Sequence, residues 1–214
     1  YRPYQLNAIA HPFGYTISWL KVGGTSTAYF VNLDTGLTIQ NINHLASPRT
    51  VDVRLAGNGV NMALLWSEGT STGSVFHFTP ISLSGVIGTS VTVPQGGAFN
   101  ATASAFSFDG ENFLWTFEDD QVARARCGGC FSLPNGSPTE VMATVLSSTG
   151  AVVQAGKLST GVEEGMIRLT ATDLIARQGG GWIAAWISSV TGADVVTRSI
   201  DRDGTFGPLT SVTT

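Results

Sequence analysis

The sequence predicts an all-β protein assembled from four copies of one four-stranded unit. Three observations carry this. Charged residues make up only 12% of the 214, whereas glycine alone supplies 26. Such a composition suits turn-rich sheets and not exposed helices, which favour Glu and Lys. Four apolar runs each end on a tryptophan, at Ile17-Ser18-Trp19, Leu64-Leu65-Trp66, Phe113-Leu114-Trp115 and Ala184-Ala185-Trp186. Each run follows a glycine-bearing turn, at Pro12-Phe13-Gly14, Gly57-Asn58-Gly59, Asp109-Gly110 and Gly179-Gly180-Gly181.

The remaining elements fall in the same order in every unit. Before the turn lies an alternating stretch, as in Val51-Asp52-Val53-Arg54-Leu55, the period-two signature of a half-buried strand. After the tryptophan comes a third strand, at 28–31, 75–78, 141–145 and 195–198. A second turn aligns Gly36, Gly85, Gly150 and Gly204, which stand 17, 19, 35 and 18 residues beyond their tryptophans. A weaker fourth strand closes the unit, for example Thr89-Ser90-Val91-Thr92-Val93. The units run 1–47, 48–95, 96–160 and 161–214, and the third carries an insertion near 121–138.

A four-stranded meander cannot bury both of its faces alone, but sheets stacked face to face around an axis can. The expected architecture is therefore a β-propeller with four antiparallel blades in one domain, its tryptophans filling the space between blades. Unit one opens with its own first strand and unit four ends with its own fourth, so no strand is left to close a ring. The end faces should then join a larger propeller, a second copy or another chain. Unit four shows the repeat best, with Gly180-Gly181-Trp182-Ile183-Ala184-Ala185-Trp186, Asp194-Val195-Val196-Thr197-Arg198 and Ile200-Asp201-Arg202-Asp203-Gly204. This pattern resembles the degenerate blades of secreted bacterial β-propellers, a resemblance of architecture. The segment Ser199–Phe206 approaches a sialidase Asp-box but has one residue too many before its glycine and Phe in place of Trp.

Composition excludes several classes. Net charge is −4, with lysine only at Lys21 and Lys157, so there is no basic stripe for a nucleic-acid backbone. No apolar run is long enough to span a bilayer as a helix. No phosphate loop, dinucleotide fingerprint or nucleophile elbow is present, and no cofactor is expected.

The residues able to carry chemistry gather in the third unit. Cys127-Gly128-Gly129-Cys130 is read as a local disulfide pinning a glycine-rich loop. A second Cys-x-x-Cys for zinc is absent, and no helix is predicted to activate a thiol. Arg124 and Arg126 precede the pair, and the acidic run Glu118-Asp119-Asp120, read as exposed turn acids, opens the insertion. Arg124, Arg126, Asp119 and Asp120 are the candidate binding residues. His11, His44 and His77 lack ligand spacing and read as structural, so no metal site is expected. Asp201-Arg202-Asp203-Gly204 echoes the start of a calcium loop, but a β-turn explains it.

These readings point to a non-catalytic binding or assembly module of a secreted or cell-surface protein that contacts protein or glycan. The alternatives are a propeller glycoside hydrolase or a structural subunit of an extracellular or virion assembly. A hydrolase needs a carboxylate pair flanking the scissile bond, and nothing in the sequence pairs Asp52, Glu118, Asp173 and Asp194.

Overall fold

The structure is a computed structural model that describes residues 2–23, 25–45, 49–70, 73–94, 103–119, 140–159, 173–188 and 194–212. Sixteen strands follow one another: β1 (Arg2–His11), β2 (Gly14–Val22), β3 (Thr27–Leu33), β4 (Ile39–His44), β5 (Thr50–Gly57), β6 (Met62–Thr70), β7 (Gly73–Ile81), β8 (Val91–Val93), β9 (Ala103–Phe108), β10 (Phe113–Asp119), β11 (Glu140–Leu146), β12 (Val152–Lys157), β13 (Asp173–Ala176), β14 (Trp182–Ser188), β15 (Asp194–Ile200) and β16 (Phe206–Ser211). They form four antiparallel four-stranded sheets, each in sequential order. The fourth strand of the second sheet is shorter than predicted, Val91–Val93 rather than 89–93.

The turn between third and fourth strands repeats one geometry four times. The first turn residue accepts a backbone hydrogen bond from the residue three ahead, as Asp34 from Leu37, Ser82 from Gly85, Ser147 from Gly150 and Asp201 from Gly204. Its own N–H donates to the residue four ahead, from Asp34 to Thr38 and likewise in the other three. The geometry places the fourth residue at positive φ: 63° at Leu37, 83° at Gly85, 84° at Gly150 and 87° at Gly204. This corrects the predicted alignment by one residue in the first unit. Leu37, not Gly36, occupies the left-handed position, which an L side chain adopts at a steric cost.

The chain divides into two compact units, Tyr1–Pro94 with Ser147–Ala151, and Gln95–Leu146 with Val152–Thr214. In the first, Leu20, Ala28 and Phe30 of one sheet pack on Val53, Leu55, Met62, Leu64 and Trp66 of the next. In the second, Leu114, Val141, Ala143 and Val145 pack on Trp182, Ala184, Trp186 and Val196. The alternation of strands gives these contacts a direction. Trp66 and Trp186 point at the preceding sheet of their unit. Trp19 and Trp115 lie on the faces of their sheets opposite Leu20 and Leu114, which face the following sheet. Trp66, Trp115 and Trp186 are 7%, 0% and 2% exposed, whereas Trp19 is only half-buried.

Polar pairs lock each stack where burial would otherwise leave donors unmatched. In the first unit Thr16 donates to Asn32, whose amide nitrogen donates to the carbonyls of Ser82 and Leu83, both at 3.0 Å. Asn7 donates to the carbonyl of Val53 at 3.0 Å. In the second, Asp109 Oδ2 accepts from Gly181 N at 2.7 Å and Arg202 Nε at 2.9 Å.

Candidate functional site

Each sheet has two unlike ends. The first-to-second and third-to-fourth connections leave from one end and are tight turns built on Asp, Asn, Ser and Gly. The others leave from the opposite end. Three of these are long, covering 94–102, 120–139 and 158–172. Much of the charge carried by the strands also lies toward that end, at Lys21, Asp52, Glu68, Glu118, Asp119, Glu140, Lys157, Asp173 and Asp194.

The tight-turn end is occupied with structure. Asp109 Oδ1 accepts from the backbone of Glu111 and Asn112 at 3.0 and 2.9 Å, and Oδ2 takes Gly181 and Arg202. Burial by itself would raise the pKa of this carboxyl. The donors from Gly181, Asn112, Glu111 and Arg202 outweigh it and hold Asp109 below its ordinary 3.8. Arg202 also pairs with Glu111 at 3.1 Å, and Arg177 with Asp201 at 3.1 Å. Asp203 lies in a β-turn, where the backbone N–H of Thr205 lowers its pKa, so the calcium-loop echo is explained as a turn.

At the other end, the base of the insertion in the third sheet is well defined. Asp119 is the last residue of β10 and pairs across the sheet with Glu140, the first of β11. Asp119 is buried, which corrects its reading as an exposed turn acid. Lys157 Nζ donates to Glu140. The backbone of Leu158 donates to the Val141 carbonyl at 2.7 Å, and Val141 N to Ser159 Oγ at 3.2 Å, so the chain leaving β12 is tied to β11. Arg198 secures the same segment. Its guanidinium donates to the Leu158 carbonyl at 2.8 Å and to the Gly207 carbonyl at 2.7 Å, and lies 5.2 Å from the Phe206 ring centre. Sequence reasoning missed Arg198, Asp109 and Arg202, because their partners lie 40 to 93 residues away.

In the first unit the corresponding end holds Asp52, buried and 3.7 Å from Arg54. The His77 ring stacks on Trp66 at 4.3 Å, and its Nε2 lies 3.9 Å from Glu68. Burial lowers the His77 pKa below 6.5, against a smaller opposing pull from Glu68. His11 bonds Thr16 at 3.2 Å and His44 packs on Tyr29 at 5.4 Å. All three histidines thus have packing or hydrogen-bonding partners inside their own sheet.

Among the described residues no group of three or more His, Cys, Asp or Glu side chains converges. Of the hydrolase candidates, Asp52 belongs to the first unit and Glu118, Asp173 and Asp194 to the second. Of the candidate binding residues only Asp119 is described. Asp120, Arg124, Arg126, Cys127 and Cys130 lie outside the described residues. No helix among the described residues is long and apolar enough to cross a membrane.

No family model matches the sequence. No curated protein matches it either. Solved structures do. A subtype N10 neuraminidase-like protein of A/little yellow-shouldered bat/Guatemala/060/2010 superposes with a TM-score of 0.64 at 11% identity, over 98% of this chain and 58% of that one. The fold is a neuraminidase-like β-propeller. A mutant of Synechocystis apocarotenoid oxygenase matches with a TM-score of 0.56 at 10% identity, over 99% of this chain and 50% of that one. The cobalt-substituted form of that oxygenase gives 0.55 at 11%, with the same coverage. The chain thus spans 50–58% of the length of these propeller proteins. At such identities the likeness is one of fold, and a propeller fold hosts many unrelated activities.

Proposed function

We propose that this chain is a propeller binding or assembly module of a secreted or surface-exposed protein, and that it contacts a protein or glycan partner without catalysing a reaction. The observation that carries this reading is the asymmetry of the sheets. One end is closed by repeated tight turns stapled to one another, and the other bears the long connections. Rigid strands that present variable connections at one end are the usual way a scaffold builds a recognition surface.

Within that surface the 120–139 connection is assigned the principal contact. Asp119 and Asp120 open it, and Arg124 and Arg126 supply planar donors suited to carboxylate, phosphate or sulfate groups of a partner. A bridge between Cys127 and Cys130 would pin the loop in one conformation, and the two intervening glycines relax the geometry that so short a bridge demands. Limiting the loop's freedom before binding raises affinity by lowering the ordering cost.

The test is a glycan array together with a panel of chromogenic glycosides, each run on the chain and on its Arg124→Ala/Arg126→Ala variant. The reading expects binding of anionic glycans, or of a protein partner, that weakens about tenfold or more in the variant, with no turnover of any glycoside. Turnover that depends on a carboxylate would replace it with the glycoside-hydrolase reading.

A further inference from the structure

The direction of the sheet stacking assigns a partner to the first sheet. In every sheet the tryptophan of the second strand lies on the face opposite the one that meets the following sheet of its unit. Trp66 and Trp186 on this face pack against the preceding sheet. Trp19 holds the same position in β2, stacked on Tyr29 at 5.5 Å and 12°, with Lys21 5.8 Å above the Tyr29 ring. Tyr15 shares this face and is exposed, and Trp19 itself is half-buried. The Trp19 face is thus built as a receiving face.

The fourth sheet carries the matching half. The face that meets the next sheet holds Leu20, Ala28 and Phe30 in the first sheet, and Leu114, Ala143 and Val145 in the third. In the fourth sheet the same face holds Ile175, Ile183, Ala185, Ile187 and Val195. Ile175 is 65% and Ile183 39% exposed with the whole chain present. Charge agrees with this pairing. Lys21 ends the Trp19 face at the end of the sheet with the long connections, and Asp173 begins the Ile183 face at the same end. The matched propeller chains are 1.7 to 2 times as long as the aligned part of this one, as 58% and 50% coverage imply, and a second copy supplies that length.

We propose that the Trp19 face of β1–β4 docks on the Ile183 face of β13–β16 of a second copy of this chain, head to tail. This goes beyond the proposed function, since it concerns the sheet faces and not the long connections. Such a contact repeats the tryptophan-on-aliphatic packing found inside each unit, and it places Lys21 of one copy beside Asp173 of the other.

The test is zero-length carbodiimide cross-linking of the full chain, with unlabelled and nitrogen-15-labelled copies mixed, alongside sedimentation over a range of concentrations. The Lys157–Glu140 ion pair is an internal positive control, since it must cross-link within one copy. The expected result is a species of twice 22.4 kDa with Lys21–Asp173 cross-links of mixed isotope label. The Ile183→Lys variant, which alters an exposed side chain, should weaken association at least tenfold with an unchanged melting temperature. Lys21–Asp173 links confined to one label would mean that the chain covers its own faces and would overturn the proposal. So would a monomer at every concentration, or association without this link.

Discussion

Arg202 Nε donates to Asp109 Oδ2 at 2.9 Å, joining the turn between β15 and β16 to the turn between β9 and β10. The Asp109 side chain is fully buried in this pair, and its four donors leave it no need of water. Removing it strands the Gly181 N–H and leaves Arg202 only Glu111. Asp109→Ala should therefore destabilise the protein by about 2–4 kcal/mol, in the range for a buried group bonded to a charge. Urea denaturation measures this, and a loss below about 0.5 kcal/mol would show the staple to be dispensable.

The four tryptophans should not be equal. Trp115 is fully enclosed, and Trp115→Ala should cost about 3–5 kcal/mol through a cavity that its neighbours only partly fill. Trp19 is half-buried and makes one ring stack, so Trp19→Ala should cost about 1 kcal/mol at concentrations too low for association. The two values come from the same denaturation experiment. Equal losses would contradict the assignment of Trp19 to an uncovered face.

Leu37 stands where three other turns place glycine, at φ 63° with 64% of its surface exposed. Leu37→Gly removes the steric cost of the left-handed conformation and gives up little burial. The greater freedom of glycine in the unfolded chain offsets part of the gain. A net stabilisation of about 0.5–1 kcal/mol is expected in the same urea titration. A destabilised variant would show that Leu37 makes a contact worth more than its strain.

His77 should make the first unit sensitive to mild acid. Burial against Trp66 lowers its folded pKa below 6.5, with Glu68 pulling weakly the other way. The unfolded chain then binds the proton more readily than the folded one, so stability rises with pH across this range. The contribution is complete above pH 6.5 and is lost as the pH falls below it toward the folded pKa. His11, lowered by burial as well, adds in the same direction. Melting temperatures between about pH 7.5 and 5 should fall, and less steeply in His77→Gln. An identical slope in the variant would remove His77 from this role.

The repeat was legible in the sequence because each unit marks the same positions with the same chemistry. Tryptophan closes the second strand, and Asp, Asn, Ser and Gly supply the side-chain acceptors and positive φ of the turns. The single misalignment, Gly36 for Leu37, arose because the turn tolerates one non-glycine residue where glycine was expected. Asp119 was misread because a carboxylate beside a predicted loop is usually solvated, whereas here β10 extends to include it. The polar staples were not legible at all. Asn32, Asp109 and Arg198 look like ordinary surface residues until folding brings carbonyls and turns from the neighbouring sheet against them. The binding residues placed on the 120–139 connection rest on its length and composition, which the strands around it neither require nor explain.

The central claim is that this connection, and not the propeller scaffold, carries recognition. Asp119 and Glu140 pair directly across β10 and β11, so a two-residue Asn-Gly turn can replace residues 120–139 while keeping the sheet register. Surface binding of this shortened chain, measured against the glycans and proteins that the full chain captures, tests the claim most directly. The account predicts that binding is lost while the melting temperature stays within a few degrees of the parent. Undiminished binding by the shortened chain would contradict it and place the recognition surface elsewhere on the sheets.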